Sequence, residues 1–149
     1  MKAIIQRVSK ASVESDNEKR SIERGLVILI GVEVNDTESD SNYIVDKTTN
    51  LRIFDSVSGN FNWSAKQLGL DVLVVSNFTL MAETKKGRRP SFNQAAPSEF
   101  AGSIFANTIN RFKETKLNIV SGYFGQAMSL EIHNDGPVTL IIDSKETRL

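Results

Sequence analysis

The sequence predicts one small α+β domain. Short runs of β-branched and aliphatic residues recur along the chain, each closed by turn-forming residues. Only two longer segments, one after Asn35-Asp36-Thr37 and one after Ala95-Ala96-Pro97, switch to helical spacing. The 149 residues suffice for one hydrophobic core, and no linker, repeat or low-complexity tract divides residues 1–149.

In chain order, Lys2 to Val13 carries Ile4, Ile5, Val8 and Val13 and reads as a strand with a kink at Ser9-Lys10. Arg7 sits inside it, and a charge in an N-terminal strand ordinarily faces solvent. Ser15 to Arg20 reads as a hairpin loop, with a short return strand starting at Ile22. Gly25 to Val34 is apolar enough for a strand buried on both faces, and Gly31 within it suggests a bulge or a close backbone approach. Asn35-Asp36-Thr37 signals a helix start, and Ile44, Thr48 and Leu51 extend the helix over residues 38–50.

Leu51 to Phe54 is a short strand, followed by a turn-rich stretch with its tip at Ser58-Gly59-Asn60. Trp63, the one tryptophan, reads as a core or interface anchor. Leu73-Val74-Val75 is another buried strand, reached through Gly69. Ser98 reads as the N-cap of a helix whose Ala101, Ile104, Phe105, Thr108, Ile109 and Phe112 form its apolar face to about Thr115. Asn118 to Ser121 starts a strand, Gly122 to Gly125 is a bend, and Met128, Leu130 and Ile132 alternate as a half-buried strand. Asn134-Asp135-Gly136 then signals a hairpin before the strand Val138 to Ile142, although Pro137 removes an N–H where that strand should pair.

Composition limits the chemistry. Lysine plus arginine equals aspartate plus glutamate at 18 each, so no global basic field attracts nucleic acid indiscriminately. There is no cysteine, which removes thiol nucleophiles, disulfides and cysteine-ligated zinc. The single histidine, His133, removes multi-histidine metal sites and leaves a Ser-His-Asp triad only if it is the base; an exposed strand position is its ordinary reading. No metal and no cofactor is expected. The N-terminus is too polar for a signal peptide and no apolar run reaches membrane-spanning length, so a cytoplasmic protein with no membrane partner is expected.

Three stretches carry candidate chemistry. Leu73-Val74-Val75 runs into Ser76-Asn77-Phe78-Thr79-Leu80, a strand ending in small polar side chains and exposed backbone N–H groups. Such an end can hold a substrate or simply turn the chain. Lys85, Lys86, Arg88 and Arg89 put four cations beside Gly87 and Pro90, as in a solvated loop or a phosphate-contacting one. Asn134-Asp135-Gly136-Pro137 is the third, and its Gly-Pro bond is a candidate cis peptide.

Taken in order, these stretches resemble the D-aminoacyl-tRNA deacylase family over residues 1–143. The resemblance rests on Met1-Lys2-Ala3-Ile4-Ile5-Gln6-Arg7-Val8, Gly31-Val32-Glu33 and Leu51-Arg52-Ile53-Phe54. It continues through Ser76-Asn77-Phe78-Thr79-Leu80, Lys86-Gly87-Arg88-Arg89-Pro90-Ser91-Phe92 and Asn134-Asp135-Gly136-Pro137-Val138-Thr139. Asn77 stands where the family usually has Gln, and Phe61-Asn62-Trp63 where it usually has Met-Asn-Leu.

The resemblance implies bent, mostly antiparallel sheets forming a barrel-like core, two main helices outside, and a homodimer. It implies hydrolysis of the ester between a D-amino acid, or mischarged glycine, and the terminal ribose of tRNA, with no DNA partner. It implies that Gly136-Pro137 is cis, reaches into the partner's pocket and excludes L side chains, with Arg7 bracing it. Ser76, Asn77 and Phe78 would hold the terminal adenosine, with Ala101 lining the pocket. Lys85, Lys86, Arg88 and Arg89 are candidates for the acceptor-stem backbone. Two mechanisms follow: attack by the Thr79 hydroxyl, or water activated by the ribose 2′-hydroxyl with the Phe78 and Thr79 N–H groups holding the oxyanion. The second is preferred, because no base partners Thr79 in the sequence. A tRNA-binding dimer without activity and a small-molecule-binding α+β domain are the alternatives.

Overall fold

The first strand organises the sheet. The computed structural model describes residues 1–55 and 59–146, so Ser58, expected at a loop tip, lies outside the described residues. Strand β1 (Lys2–Ser15) pairs antiparallel with β8 (Ser129–Asp143) along one edge. Along its other edge it pairs with β3 (Gly25–Gly31) through Lys2–Val8 and with β2 (Glu18–Ile22) through Ala11–Ser15. Strands β6 (Asp71–Ser76) and β7 (Ile119–Ser121) extend the sheet in parallel beyond β3. A separate antiparallel pair, β4 (Arg52–Asp55) and β5 (Phe61–Ser64), lies beside it.

Side chains then draw the two ends of the sheet together. The Arg20 guanidinium on β2 donates to the Ser121 carbonyl on β7 at 2.8 Å and lies 4.0 Å from the centroid of the Tyr123 ring. The Tyr123 hydroxyl donates back to the Glu18 carbonyl at 3.1 Å. The result is a nearly closed, barrel-like sheet, with α1 (Glu38–Asn50) and α3 (Ser98–Glu114) as its main helices and a one-turn α2 (Ala65–Leu68).

Alternation explains the two cores. Leu26, Ile28, Ile30, Val72 and Val74 face Ile44 of α1 and Phe105, Ile109 and Phe112 of α3. Val27, Leu73 and Val75 point the other way, to meet Val8, Ala11, Val13 and Tyr123 inside the barrel. The expectation that β3 is buried on both faces holds. In β1, Ala3 and Ile5 belong to the helix-facing core but Ala11 and Val13 to the barrel interior. The register shift between Val8 and Lys10, which sets one extra β1 residue against β8, makes that exchange, since a one-residue slip turns every later side chain to the other face.

Several sequence expectations need correction. The stretch Ser15 to Arg20 is not a loop: the turn is Asp16-Asn17 alone, with φ of 49° and 65°, and β2 already runs from Glu18. Two consecutive positive φ values make the tight turn whose twist suits a hairpin, and Asp and Asn tolerate them. The polar side chains of β2 belong to an exposed strand that ends, rather than starts, at Ile22. Ser98 is the first residue of α3 and Pro97 is its N-cap, with the Pro97 carbonyl accepting from Ala101 N–H at 2.8 Å. Asn134-Asp135-Gly136-Pro137 is no hairpin, because β8 continues through it against the same neighbour, β1. Trp63 is 41% exposed and so is not a core anchor within this chain.

A polar cluster stitches the start of β1, the start of α1 and the chain just after β8. The Met1 ammonium donates to Asp36 at 2.6 Å and to the Ser144 hydroxyl at 2.8 Å. Ser144 donates to Asp40 at 2.8 Å, and Lys145 reaches Asp40 at 3.0 Å and Asp36 at 3.3 Å. Burial pushes the Asp40 carboxyl up, but hydrogen bonds from the Thr37 N–H, Ser144, Lys145 and the Thr37 hydroxyl outweigh it and hold the carboxyl well below the ordinary range. A carboxylate depressed in the folded state stabilises fully above its unfolded value, near about 3.9, and loses that contribution as pH falls toward the folded value. Asp40→Asn is therefore expected to cost about 1–3 kcal/mol at pH 7 and progressively less below about pH 4. Urea unfolding of both proteins at pH 7 and pH 3 checks this; an equal deficit at both would refute it.

Candidate active site

The site forms where two parallel strands stop. The last rung of the β3–β6 ladder is the Asn77 N–H donating to the Ile30 carbonyl at 2.7 Å. The chain then tightens into a 3₁₀ turn, Phe78–Met81, instead of continuing as strand. This turn crosses directly over Gly31. A Cβ on Gly31 would stand 2.9 Å from the Met81 terminal methyl, 3.0 Å from Leu80 Cβ and 3.2 Å from the Asn77 carbonyl oxygen. Of the two expectations for Gly31, close backbone approach is the one realised.

Above these strand ends lies a cavity of about 530 Å³. The carboxyl ends of parallel strands are a recurrent place for ligands. Ile30, Val32 and Ser76 come from the strand ends, and Asn77 and Phe78 from the turn. One wall is the start of α3 with Ala95, Ala96, Ser98 and Ala101, held by the Ala96 N–H donating to the Val32 carbonyl at 3.0 Å. The other is the bend from Phe124 to Met128, fixed by Phe124 against Phe105 at 5.8 Å between ring centroids. Gly102 makes room for that ring, since a Cβ there would lie 3.1 Å from it.

Among the described residues, none that lines this cavity is ionisable. Polar groups there are Ser76, Asn77, Ser98, Gln126 and backbone. Asn77 caps the turn: its Oδ1 accepts from the Thr79 hydroxyl at 2.5 Å and from the Thr79 N–H at 3.3 Å. The Phe78 N–H makes no hydrogen bond among the described residues. The Phe78 side chain is 62% exposed and meets Phe92 edge-on at 5.1 Å. Phe92 follows the base of the cationic loop, which Glu83 and Ser91 close by exchanging backbone bonds of 2.8 and 3.0 Å. Lys85, Lys86, Arg88 and Arg89 lie on that loop and are exposed, and none of them lines the cavity.

The structure brings Ser76, Asn77, Phe78 and Ala101 together, as the sequence suggested, but Thr79 does not line the cavity. Nor do Gly136, Pro137 and Arg7, which form a second feature. Opposite Arg7, β8 loops out: Gln6 faces Thr139 and Val8 faces Asn134, leaving Asp135 to Val138 outside the ladder. The Asn134 side chain spans the loop, accepting from the Val138 N–H and donating to the Thr139 hydroxyl, each at 2.9 Å. Within it the Gly136–Pro137 peptide is cis and both residues are exposed.

Arg7 is not solvent-facing, contrary to the ordinary expectation for a strand charge; it is 6% exposed. Its guanidinium donates to the Ile53 carbonyl at 2.8 Å, to Asp55 at 3.1 Å, and to the backbone carbonyl and carboxylate of Asp135, both at 3.2 Å. The Phe61 ring covers it at 5.5 Å. His133 lies elsewhere on β8, 3.2 Å from Glu131, whose carboxyl it and Lys19 draw below the ordinary range. The bend Phe124 to Met128 and the pair Ala95-Ala96 were missed as site residues, since Ala95-Ala96 carries no polar side chain and Gln126, alone in a turn, reads as an ordinary surface residue.

The family described as D-Tyr-tRNA(Tyr) deacylase matches residues 4–143. A D-aminoacyl-tRNA deacylase from Dehalococcoides mccartyi (strain BAV1) is 48% identical over 147 residues, covering 98% of this chain and 96% of its own. One from Carboxydothermus hydrogenoformans is 45% identical over 144 residues, covering 96% and 99%. Among solved structures, one titled c-Myc DNA Unwinding Element Binding Protein superposes with a TM-score of 0.90 at 36% identity, covering 96% of this chain and 98% of that one. A probable eukaryotic D-amino acid tRNA deacylase shares the fold, with a TM-score of 0.85 at 15% identity over 95% and 97%. With these matches on a pocket built of strand ends and backbone donors, the protein is a hydrolase. Within that class, the chain belongs to the D-aminoacyl-tRNA deacylase family.

The contact over Gly31 sets where the turn sits. Gly31→Ala is expected to cost about 1–3 kcal/mol, as overpacked sites do, and to lower turnover by displacing the Phe78 N–H. Thermal unfolding alongside a deacylation assay checks both; a fully active, fully stable variant would refute the close-approach role.

Proposed function

We propose that this protein hydrolyses the ester joining a D-amino acid, or glycine on mischarged tRNA, to the 3′-terminal adenosine of tRNA. Family membership supports the activity. The observation that carries the mechanism is that the described residues lining the cavity include no ionisable side chain, beside a turn with an unbonded backbone N–H. With no general base among the described residues that line the cavity, the substrate's own ribose 2′-hydroxyl orients and activates the attacking water. Water oxygen bonds to the ester carbonyl carbon, and the resulting oxyanion takes hydrogen bonds from the backbone N–H groups of Phe78 and Thr79. Collapse expels the ribose 3′-oxygen, which regains the proton, and releases the free amino acid. Attack by the Thr79 hydroxyl is disfavoured, because that hydroxyl already donates to Asn77 and no base stands beside it.

In this reading Ser76, Asn77 and Phe78 hold the terminal adenosine and Ala101 shapes the wall. The protein works as a homodimer in which Gly136-Pro137 enters the partner's cavity. Its exposure, its separation from its own chain's cavity and its bracing by Arg7 support this. Backbone carbonyls held there would bind the substrate amino group and leave no space for an L side chain, which is selection by exclusion. Ile141 at 75%, Phe61 at 56% and Trp63 at 41% exposure supply apolar surface for such an interface.

Release of labelled amino acid from D-Tyr-tRNA and L-Tyr-tRNA by the protein and by Thr79→Ala tests the reading. D-only cleavage that survives in the variant is expected, and a 2′-deoxy terminal ester should be cleaved poorly. No cleavage of either ester would refute the enzyme reading, and tRNA binding without cleavage would favour an inactive binder. Lys85, Lys86, Arg88 and Arg89 are proposed to contact the acceptor-stem phosphates. Replacing the four with Gln is expected to raise KM for tRNA, flatten its salt dependence and leave kcat near wild type. An unchanged salt slope would remove the loop from the interface.

A further inference from the structure

Resting on that deacylase reading, we infer that Asn77 is a positioning residue whose side chain occupies the second oxyanion donor until substrate draws it away. Thr79 offers two donors, its N–H and its hydroxyl, and both point at Asn77 Oδ1. The amide orientation follows from chemistry: a backbone N–H can only donate, so the atom facing it is the carbonyl oxygen and not the Nδ2 group. The 2.5 Å hydroxyl bond anchors the side chain, and the 3.3 Å N–H bond is the weaker passenger. In the substrate-free protein the Phe78 N–H alone is open.

The contact depends on side-chain length. Asparagine bonding the N–H two residues on is a compact turn closed by one methylene. Glutamine adds a methylene and does not form that ring, so a chain with Gln here leaves the Thr79 N–H free. Asn77 also lines the cavity, and its Nδ2 has no protein acceptor among the described residues. The terminal adenosine offers ring-nitrogen acceptors to that amide. Docking the base swings the side chain toward it, frees the Thr79 N–H and completes the oxyanion site. Binding energy is thus used to assemble the catalytic site, which lowers turnover relative to a site assembled in advance.

The test compares wild type, Asn77→Gln and Asn77→Ala in two measurements. NMR amide exchange at Thr79 in the substrate-free proteins reads the contact itself, and steady-state deacylation of D-Tyr-tRNA separates kcat from KM. Both variants should exchange the Thr79 amide about tenfold faster, the size of one hydrogen bond. Asn77→Gln should raise kcat roughly three- to tenfold at similar KM, whereas Asn77→Ala should raise KM through loss of the adenosine contact. Equal Thr79 exchange in wild type and Asn77→Ala would overturn the inference, as would a kcat for Asn77→Gln at or below wild type. A wild-type protein that cleaves neither ester would defeat the deacylase reading instead, and the exchange measurement would still decide the contact.

Discussion

Arg7 stands where β1 and β8 part, and the shape of the exposed Gly136-Pro137 loop rests on satisfying its buried guanidinium. A charge this far from water has to be paired and hydrogen-bonded, or it costs several kcal/mol. Ile53 and Asp55 at the β4 end supply one set of acceptors, and Asp135 supplies the other. The loop is therefore fastened to a second sheet and not merely extruded from the first. Asn134 fastens its base independently. Two sets of polar bonds fix a loop that has almost no apolar packing of its own, since only Val138 turns inward.

The cavity is positioned by a different kind of constraint, the packing of backbone on backbone. Strands β3 and β6 end together, their last bond leads directly into the 3₁₀ turn, and the turn lies on Gly31 because nothing else is small enough. The start of α3 closes the opposite side by pairing Ala96 with Val32. The Phe78 N–H held this way is open and oriented before any ligand arrives, whereas the Thr79 N–H is already engaged by Asn77. A pocket without titratable groups also gives little reason for its chemistry to change across neutral pH.

The elements most readable from sequence were those with long, clean periodicity. Both main helices and the doubly buried β3 and β6 follow from spacing alone, and Gly31 was readable as a tight approach. The failures share a cause: each was decided by a partner distant in sequence. Asn134-Asp135-Gly136 has the local chemistry of a hairpin, yet the long pairing with β1 carries the strand through it. Arg7 looks like a surface charge until Ile53 and Asp135 are brought beside it. The bend at Phe124 became a pocket wall only because α3 placed Gly102 and Phe105 against it. Ser76 and Asn77 were legible as a candidate site because they break a strand's apolar pattern with polar groups that the core does not need, and with Phe78 they line the cavity.

Strand β8 pairs only with β1, so among the described residues its outer edge is a run of unpaired backbone along one side of the barrel. Long open edges invite strand after strand to add, the route by which sheets grow into fibrils. Here the loop at Asp135 to Val138 cuts that edge near its middle, and Pro137 has no N–H to offer. The loop that carries the cis peptide is therefore also a break in that long edge of the sheet, and a broken edge is a poorer template for open-ended polymerisation than a continuous one.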